Sequence, residues 1–246
     1  MRQTHSAGNA VLNRIGEFDV AEPAWPELPW DKVADRVRPI VYRVYAGQSA
    51  GTAFVVALGT ERQTSMNCAI LATADHVLAA SVDTADKVRL VSADRSEIFD
   101  ADEDEVRIQP LGPKIHDTML ILLKSKKHIL DQARLLLMLK WDMMMAQGAS
   151  IGWMGFPGIT EPELCFFQGH VSGHVGDPPT YLIDGVAING VSGGPAFDNR
   201  AHLVGLVSAY IPNRVNQHTT LPGLMALVPI NAIRLFMEQN MGATIL

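Results

Sequence analysis

The stretch NGVSGGPAF, residues 189–197, places one serine among small and flexible residues in a chain that is otherwise rich in aliphatic runs. Such a stretch suits a plain turn, a loop that binds phosphate through its backbone, or a loop that presents a nucleophilic serine. Each of these interpretations requires different residues elsewhere in the chain. The surrounding sequence therefore decides both the fold and the role of Ser192.

The composition is that of a globular protein whose main partner is not nucleic acid. The chain has 246 residues, of which 48% are hydrophobic and 19% charged, enough for one large domain or two small ones. A net charge of −6 argues against nucleic acid as the partner, because phosphate binding requires clustered Lys and Arg side chains.

Nothing in the sequence predicts export from the cell or insertion into a membrane. The N-terminal residues lack a continuous apolar segment, and no stretch reaches the length of a membrane span. The two cysteines, Cys68 and Cys165, are too few for a secreted domain held together by disulfides. We therefore predict a cytoplasmic protein with no membrane partner.

The pattern after residue 38 is that of an all-β domain. Ten short segments rich in β-branched and aromatic residues follow one another, separated by Gly, Pro, Asn or Asp. Without long helical patterns between them, such segments indicate a sandwich or barrel. Residues 1–36 are predicted to be an extension, because AEPAWPELPW (21–30) has three prolines, which disfavour helix and strand. NAIRLFMEQNMG (231–242) has the spacing and cap candidates of a terminal helix.

Two interpretations of the serine stretch do not fit the residues that surround it. A phosphate-binding loop of the GxxxxGK[ST] type requires a lysine, and no lysine follows residue 140. Gly190-Val191-Ser192-Gly193-Gly194 matches GxSxG, but a hydrolase elbow of that type is followed by a helix and then by the acid and the histidine. Here two glycines and Pro195 follow Ser192, and then a strand-like segment.

The order His, Asp, Ser fits better. ILATADHVLAA (70–80) places His76 at the end of an apolar strand, and KIHDTMLILLK (114–124) places Asp117 at the start of another. A serine hydroxyl is a weak nucleophile unless a base takes its proton, and a histidine base must be held in one tautomer by a third group. The chain supplies one residue for each of these three roles.

The sequence at this point resembles the trypsin/chymotrypsin-like serine proteases, and most closely the HtrA-type protease domain without its PDZ module. The similar segments are GTAFVVAL followed by ILATADHVL, then HDTMLILLK, AINGVSGGPAFDNRAHLVGLVSA and LMALVPINAIRLF. Together they extend from about residue 39 to 240.

This resemblance implies a fold of two antiparallel six-stranded β-barrels with a C-terminal helix. The protease domain would occupy residues 37–246, with the N-terminal barrel at about 37–130, the C-terminal barrel at about 145–230 and the helix at 231–242. It also implies roles for the three residues: Ser192 as nucleophile, His76 as general base and acid, and Asp117 as the group that orients His76. The backbone N–H groups of Gly190 and Ser192 would form the oxyanion hole.

Two residues depart from the family pattern. Val191 stands where secreted trypsin-like enzymes carry an aspartate that pairs with a newly cut N-terminus, and the chain has no matching cleavage site. We therefore expect ordering of this loop by a protein partner, a substrate or an oligomer rather than by proteolysis. Asp75 replaces the usual alanine before the histidine, where it either perturbs His76 or points away from it.

The resemblance also locates a substrate pocket. Its floor would lie near Val186 or Ala187, and Ser208-Ala209-Tyr210 would line it and pair with the substrate backbone. Since neither floor residue is acidic and Tyr210 is bulky, we predict small or medium aliphatic residues before the scissile bond.

The predicted function is a serine endopeptidase that acts on protein or peptide substrates. Two alternatives stay open: a catalytically weak protease-fold module that binds peptides or a regulatory partner, and an esterase that uses the same triad. We expect no metal or other cofactor, because HVSGH (170–174) lacks the glutamate of the HExxH motif.

Overall fold

The computed structural model confirms the all-β class, with strands making up 52% of it. It describes residues 26–61, 64–79, 88–101, 106–115, 117–127, 129, 139–140, 144–160, 163–177, 179–214 and 220–241. The strands form two separate antiparallel sheets, one from each half of the chain. Both predicted barrels are thus present as separate sheets.

The first sheet is a nearly closed barrel. Its strands are β1 (Val41–Ala46), β2 (Ser49–Thr60), β3 (Asn67–Thr73), β4 (Val88–Ser92), β5 (Ile98–Asp100), β6 (Val106–Ile115) and β7 (Thr118–Ser125). Their order is β5-β4-β1-β2-β3-β7-β6, which makes seven strands where six were predicted. The seventh is the short β5, which pairs back on β4 after a turn in which the Asp94 carboxylate accepts hydrogen bonds from Ser92 and Ser96.

The second sheet is a closed barrel with the predicted six strands. They are β8 (Ser150–Gly155), β9 (Cys165–Val175), β10 (Thr180–Ile183), β11 (Pro195–Phe197), β12 (Leu203–Arg214) and β13 (Thr220–Pro229). Their order around the barrel is β10-β13-β12-β11-β8-β9. Residues 189–194 thus lie between β10 and β11, and residues 195–197 form β11, the shortest strand of this barrel.

The two barrels share part of their apolar core. One buried cluster contains most of the apolar side chains of the first barrel and continues into Met154, Phe156, Phe197 and Leu206 of the second. A separate cluster fills the interior of the second barrel. In β3 all residues after Asn67 are buried, because one face lines the barrel interior and the other is also covered. A continuous apolar cluster therefore joins the two barrels.

Helices lie at both ends of the described chain. The N-terminal helix α1 (Trp30–Val37) begins directly after Pro29, and the prolines before it had given no indication of a helix. Its Val33 and Val37 join the first core, while the ring of Trp30 lies 5.7 Å from Phe166 in the second barrel. Through these contacts α1 packs against both barrels.

A one-turn helix, α2 (Asp75–Leu78), follows β3, and the C-terminal helix is α3 (Ile230–Met241). Ile233, Phe236 and Met237 of α3 are fully buried, which is the apolar spacing that had predicted this helix. Among the described residues, no helix is long and apolar enough to cross a membrane. Cys68 is buried, Cys165 is partly buried, and both are free thiols.

Candidate active site

His76 and Asp117 meet because their two strands are neighbours in the first barrel. β3 and β7 are antiparallel partners, with Thr73 opposite Met119, so the end of β3 lies beside the start of β7. His76 is in α2, three residues after that end, and Asp117 comes directly before β7. The antiparallel register alone therefore brings together two residues that are 41 positions apart.

Asp117 both caps α2 and orients His76. Its backbone carbonyl accepts a hydrogen bond from the Asp75 N–H (3.2 Å), and its carboxylate accepts one from the His76 N–H (3.3 Å). The same carboxylate has both oxygens 3.0 Å from His76 Nδ1. Since a carboxylate can only accept, Nδ1 carries the proton and Nε2 of the neutral ring is left as the basic atom.

Ser208 holds Asp117 from the second barrel. Its hydroxyl donates to Asp117 Oδ2 at 2.7 Å, and the residue is buried in β12. The side chain predicted to line the pocket is thus turned towards the carboxylate. Sequence analysis missed this contact because it joins residues 91 positions apart on different barrels.

These contacts shift the pKa values of both residues in the direction that favours an ion pair. The hydrogen bond to Asp117 raises the pKa of His76 above its ordinary value, burial opposes this, and the charges of Asp117 and Asp75 add to the rise. Burial by itself would raise the pKa of Asp117, but the hydrogen bonds from His76 and Ser208 outweigh burial and lower it. The Asp117 carboxylate therefore stays ionised, whether the His76 ring beside it is neutral or protonated.

The charge of Asp75 is one contribution to the raised pKa of His76, and so to the pH dependence expected of this site. A base must be neutral to act, so the raised pKa of His76 places the acid limb of the kcat/KM profile above the ordinary histidine value of 6.5. Replacing Asp75 with Asn removes one of the charges that raise this pKa. We expect the acid limb of Asp75→Asn to move to lower pH, measured by kcat/KM against pH on a peptide substrate. An unmoved limb, or one moved to higher pH, would contradict an electrostatic role of Asp75.

Three N–H groups of the loop 188–194 donate to backbone carbonyls. Val191 donates to the Ile188 carbonyl (2.9 Å), Gly193 to Val207 (2.7 Å) and Gly194 to Val191 (2.9 Å). Among the described residues, the N–H groups of Gly190 and Ser192 donate to no acceptor. These are the two groups predicted to form an oxyanion hole, and the fold leaves both of them available.

Gly190 has a conformation and a position that exclude a side chain. Its φ is +95°, in the region that residues with a Cβ rarely adopt. A Cβ at this residue would lie 2.3 Å from the carbonyl oxygen of Phe156. A glycine at residue 190 is thus required both by its φ and by the close approach of the Phe156 carbonyl.

The nucleophile loop packs against the segment that carries His76. A Cβ on Gly51 would lie 2.6 and 2.7 Å from the methyl groups of Val77 and 3.2 Å from the Ser192 carbonyl oxygen. A Cβ on Gly193 would lie 2.8 Å from the backbone nitrogen of Ala74, two residues before His76. The loop that carries Ser192 therefore lies against the segment that carries His76.

Val191 is fully buried in the core of the second barrel. Its Cα lies 2.8 Å and one of its methyl groups 3.0 Å from where a Cβ of Gly155 would be. The residue that departs most clearly from the family pattern is therefore held by apolar packing, in a cluster that includes Tyr181, Val207 and Leu227.

The predicted pocket residues lie on two segments beside this loop. Val186 is half exposed, while Ala187 is partly buried against the second core. Ala209 is exposed and follows Ser208 in β12. The hydroxyl of Tyr210 accepts a hydrogen bond from the Gly223 N–H (2.6 Å), which ties the ring to the adjacent β13.

The two histidines of HVSGH are bound to protein groups. His174 Nε2 lies 2.9 Å from the Met145 carbonyl oxygen, and His170 Nδ1 lies 3.4 Å from Asp184 Oδ2. Within the described ranges, no group of three or more His, Cys, Asp or Glu residues is arranged to hold a metal ion.

Comparison with known proteins agrees with this architecture. The sequence model of the trypsin-like peptidase domain matches residues 51–206, well over half of the chain. The chain therefore belongs to the trypsin-like peptidase domain family, as the sequence motifs had indicated, and its class is that of the serine peptidases, which are hydrolases. No curated protein matches it in sequence.

Solved structures of proteases are similar in fold at low sequence identity. The inactive form of the Rv3671c protease has a TM-score of 0.60 and 17% identity over 86% of this chain and 93% of that one. A serine-to-alanine mutant of Rv3671c from M. tuberculosis has a TM-score of 0.61 and 17% identity, over 91% and 95%. The serine endoprotease from Yersinia pestis has a TM-score of 0.61 and 16% identity, over 87% and 67%.

Proposed function

We propose that this protein is a serine endopeptidase that cleaves peptide bonds through Ser192, His76 and Asp117 and an acyl-enzyme intermediate. The observation that carries the proposal is the pair of N–H groups at Gly190 and Ser192 that donate to no described acceptor, in a loop that packs against the segment of His76, whose Nδ1 is held by Asp117. A structural histidine–aspartate pair requires no such pair of open donors beside it. Hydrolysis of an acyl bond requires both a base and a site for the oxyanion.

The first half of the reaction acylates Ser192. Its Oγ attacks the carbonyl carbon of the scissile bond while His76 Nε2 takes the hydroxyl proton, and the carbonyl oxygen becomes an oxyanion that accepts from the Gly190 and Ser192 N–H groups. Asp117 stabilises the imidazolium that forms. When the C–N bond breaks, His76 gives its proton to the leaving amine. The product is an ester between Ser192 and the N-terminal part of the substrate.

The second half reverses the roles with water. His76 Nε2 takes a proton from a water molecule, whose oxygen attacks the ester carbonyl at the same oxyanion site. Collapse of this second tetrahedral intermediate breaks the ester, and His76 returns the proton to Ser192 Oγ. Atoms and charge balance without a metal or redox cofactor, so the chain's own residues suffice for the chemistry.

We propose a preference for small or medium aliphatic residues at P1, the position before the scissile bond. The predicted pocket segments provide apolar groups at Val186 and Ala187, and the ring of Tyr210, which is predicted to narrow the entrance, is held by a hydrogen bond from the Gly223 N–H. Replacing Tyr210 with alanine is expected to raise kcat/KM for phenylalanine relative to valine at P1 by at least about 10-fold, the size of a small steric change in a pocket.

A peptide library that varies P1 measures this ratio. Tyr210→Phe is the matched control, since it keeps the ring and loses only the hydroxyl bond, and it should keep the wild-type ratio. A wild-type profile dominated by Arg or Lys, or an unchanged ratio in Tyr210→Ala, would contradict this account of the pocket.

Labelling with a fluorophosphonate probe tests the proposed function. The probe forms a covalent bond with a serine whose proton is taken by a base, and we expect it to modify wild-type protein at Ser192, as found by peptide mass spectrometry. Ser192→Ala should not be labelled, while Ser125→Ala, which removes a buried serine at the far end of β7, should be labelled like wild type.

Labelling at another residue, or equal labelling of Ser192→Ala, would contradict the assignment of the nucleophile. A folded wild-type protein that is not labelled at all, with or without added protein partners, would instead favour the protease-fold binding module. The activating partner and the cytoplasmic location stay predictions from the sequence.

A further inference from the structure

Thr52 is a fully buried polar residue at the interface between the barrels. It lies in β2 of the first barrel, opposite Arg43 of β1. A buried hydroxyl must find hydrogen-bond partners within the protein, since an unpaired one is costly. Those of Thr52 are not in its own barrel. Its Oγ1 donates to the carbonyl oxygen of Gly190 at 2.7 Å and accepts from the N–H of Phe156 at 3.1 Å.

The two partners of this hydroxyl belong to the two segments that flank the proposed oxyanion hole. Gly190 supplies one of the N–H donors, and the Phe156 carbonyl lies where a Cβ of Gly190 would be. Two residues further along, the Gly158 N–H donates to the Asn189 carbonyl at 2.8 Å. The Asn189 carbonyl and the Gly190 N–H belong to the same peptide group, and in a trans peptide they point in opposite directions. The bond from Gly158 to Asn189 therefore sets the direction of the Gly190 N–H.

The backbone of Thr52 holds the same loop. Its N–H donates to the Ser192 carbonyl at 2.9 Å, and a Cβ on Gly193 would lie 2.1 Å from its carbonyl oxygen. One residue of the first barrel thus contacts the loop from Gly190 to Gly193, through both its side chain and its main chain. Because backbone contacts do not depend on residue type, the hydroxyl is the part that a substitution can remove.

We propose that Thr52 is a positioning residue, whose hydroxyl holds the Phe156–Gly158 segment against Gly190 by joining the Gly190 carbonyl to the Phe156 N–H. It thereby keeps in place the bond from Gly158 to the Asn189 carbonyl, which sets the direction of the Gly190 N–H in the oxyanion hole. It does not touch the reacting atoms itself. This inference rests on the proposed function, since it concerns the orientation of one of the two donors. Donors that are already oriented stabilise the developing negative charge without rearrangement during the reaction, and a displaced donor loses that advantage.

Thr52→Val tests the role of the hydroxyl in the full-length protein. Valine keeps the β-branched shape and leaves the Gly190 carbonyl and the Phe156 N–H without their shared partner. We expect kcat on a peptide substrate to fall by about 10- to 100-fold, less than the about 10²- to 10³-fold that loss of a whole donor costs. KM should be almost unchanged, because the interaction acts in the transition state.

A peptide aldehyde measures the oxyanion hole directly. Its adduct with Ser192 has an oxygen in the hole, so its affinity should fall by the same factor as kcat in Thr52→Val. Thr52→Ser keeps the hydroxyl and should retain kcat and aldehyde affinity close to wild type. The matched control is Ser125→Ala, which also removes a buried hydroxyl that accepts a backbone N–H, that of Lys127, but far from the site; its kcat should equal that of wild type.

Two results would overturn the inference while the proposed function stands. One is a wild-type kcat in Thr52→Val. The other is an equal loss of kcat in Thr52→Val and Thr52→Ser, which would show that side-chain packing and not the hydroxyl is responsible. If Thr52→Val does not fold, Thr52→Ala replaces it, since a smaller side chain leaves space for a water molecule between the two groups. The kcat of Thr52→Ala is expected to be lower than that of wild-type protein and of Thr52→Ser, but higher than the kcat that remains after loss of a whole oxyanion donor. A kcat equal to that of wild type would overturn the inference. A wild-type protein that neither reacts with the fluorophosphonate nor cleaves peptides would overturn the proposed function, and this inference with it.

Discussion

Replacing His76 with alanine is expected to lower kcat for peptide hydrolysis by about 10⁵- to 10⁶-fold, the loss that removal of the base causes in serine proteases. His76 Nε2 is the basic atom, because Nδ1 donates to Asp117 at 3.0 Å. Without it, the proton of Ser192 has no acceptor of suitable pKa. The hydrolysis rate of a sensitive fluorogenic peptide, measured at high enzyme concentration, gives this ratio.

Two further variants make the His76 result specific. The double variant His76→Ala/Ser192→Ala should be no slower than either single one, because the two residues act as a unit. His170→Ala is the matched control: its ring pairs with Asp184 at 3.4 Å and is 54% exposed, against 51% for His76, but it belongs to β9 and has no part in the proposed triad. We expect unchanged kcat in His170→Ala. Equal losses in both histidine variants would contradict the assigned base.

Asp117→Asn is expected to lower kcat by about 10⁴-fold while leaving the protein folded. An asparagine can still accept hydrogen bonds from the backbone of α2 through its amide oxygen. Its NH₂ group, however, can face Nδ1 of His76 only if that nitrogen accepts, which moves the ring proton to Nε2. The base is then in the wrong tautomer. Proton NMR at low field, where the Nδ1 proton of a histidine paired with a carboxylate resonates, should lose that signal in Asp117→Asn.

Ser208→Ala provides a graded comparison for Asp117. It removes the 2.7 Å bond to Asp117 Oδ2 but leaves the charge and the bond to His76. We expect a loss of about 10-fold in kcat and a pKa of Asp117 nearer to its ordinary value, since that bond lowers the pKa.

If Asp117→Asn retained kcat within about 10-fold of wild type, the carboxylate would be only a cap for α2.

Much of the fold was predictable because it depends on local patterns. Short apolar segments between Gly, Pro and Asp give antiparallel strands, and the terminal helix follows from the spacing of Ile233, Phe236 and Met237. The strands β5, β6 and β11 were missed. β5 and β11 have only three residues each, too few to show a periodicity, and β6 contains two prolines and a glycine, which disfavour a strand. The helix α1 was missed because its apolar face is short and prolines precede it.

The candidate site was predictable where a motif carries its residues, and not where a contact joins distant ones. His76, Asp117 and Ser192 stand in recognisable segments, in an order that matches their chemistry. The roles of Ser208 and Thr52 depend on partners 91 and 138 positions away, in the other barrel. No spacing in the sequence encodes such a pair, because it arises only when two finished barrels pack against each other.

Because Val191 is buried in the core of the second barrel, the conformation of the loop 188–194 depends on that barrel being folded. Moving this side chain into water would forfeit roughly 1.5 kcal/mol of apolar burial and open a cavity beside Gly155. The Gly193 N–H, which donates to Val207 in the same barrel, should accordingly exchange with solvent deuterium only in openings that also expose β12. The loop and the sheet then form one cooperative unit, so substitutions deep in the second barrel reach the site by changing how often that unit opens.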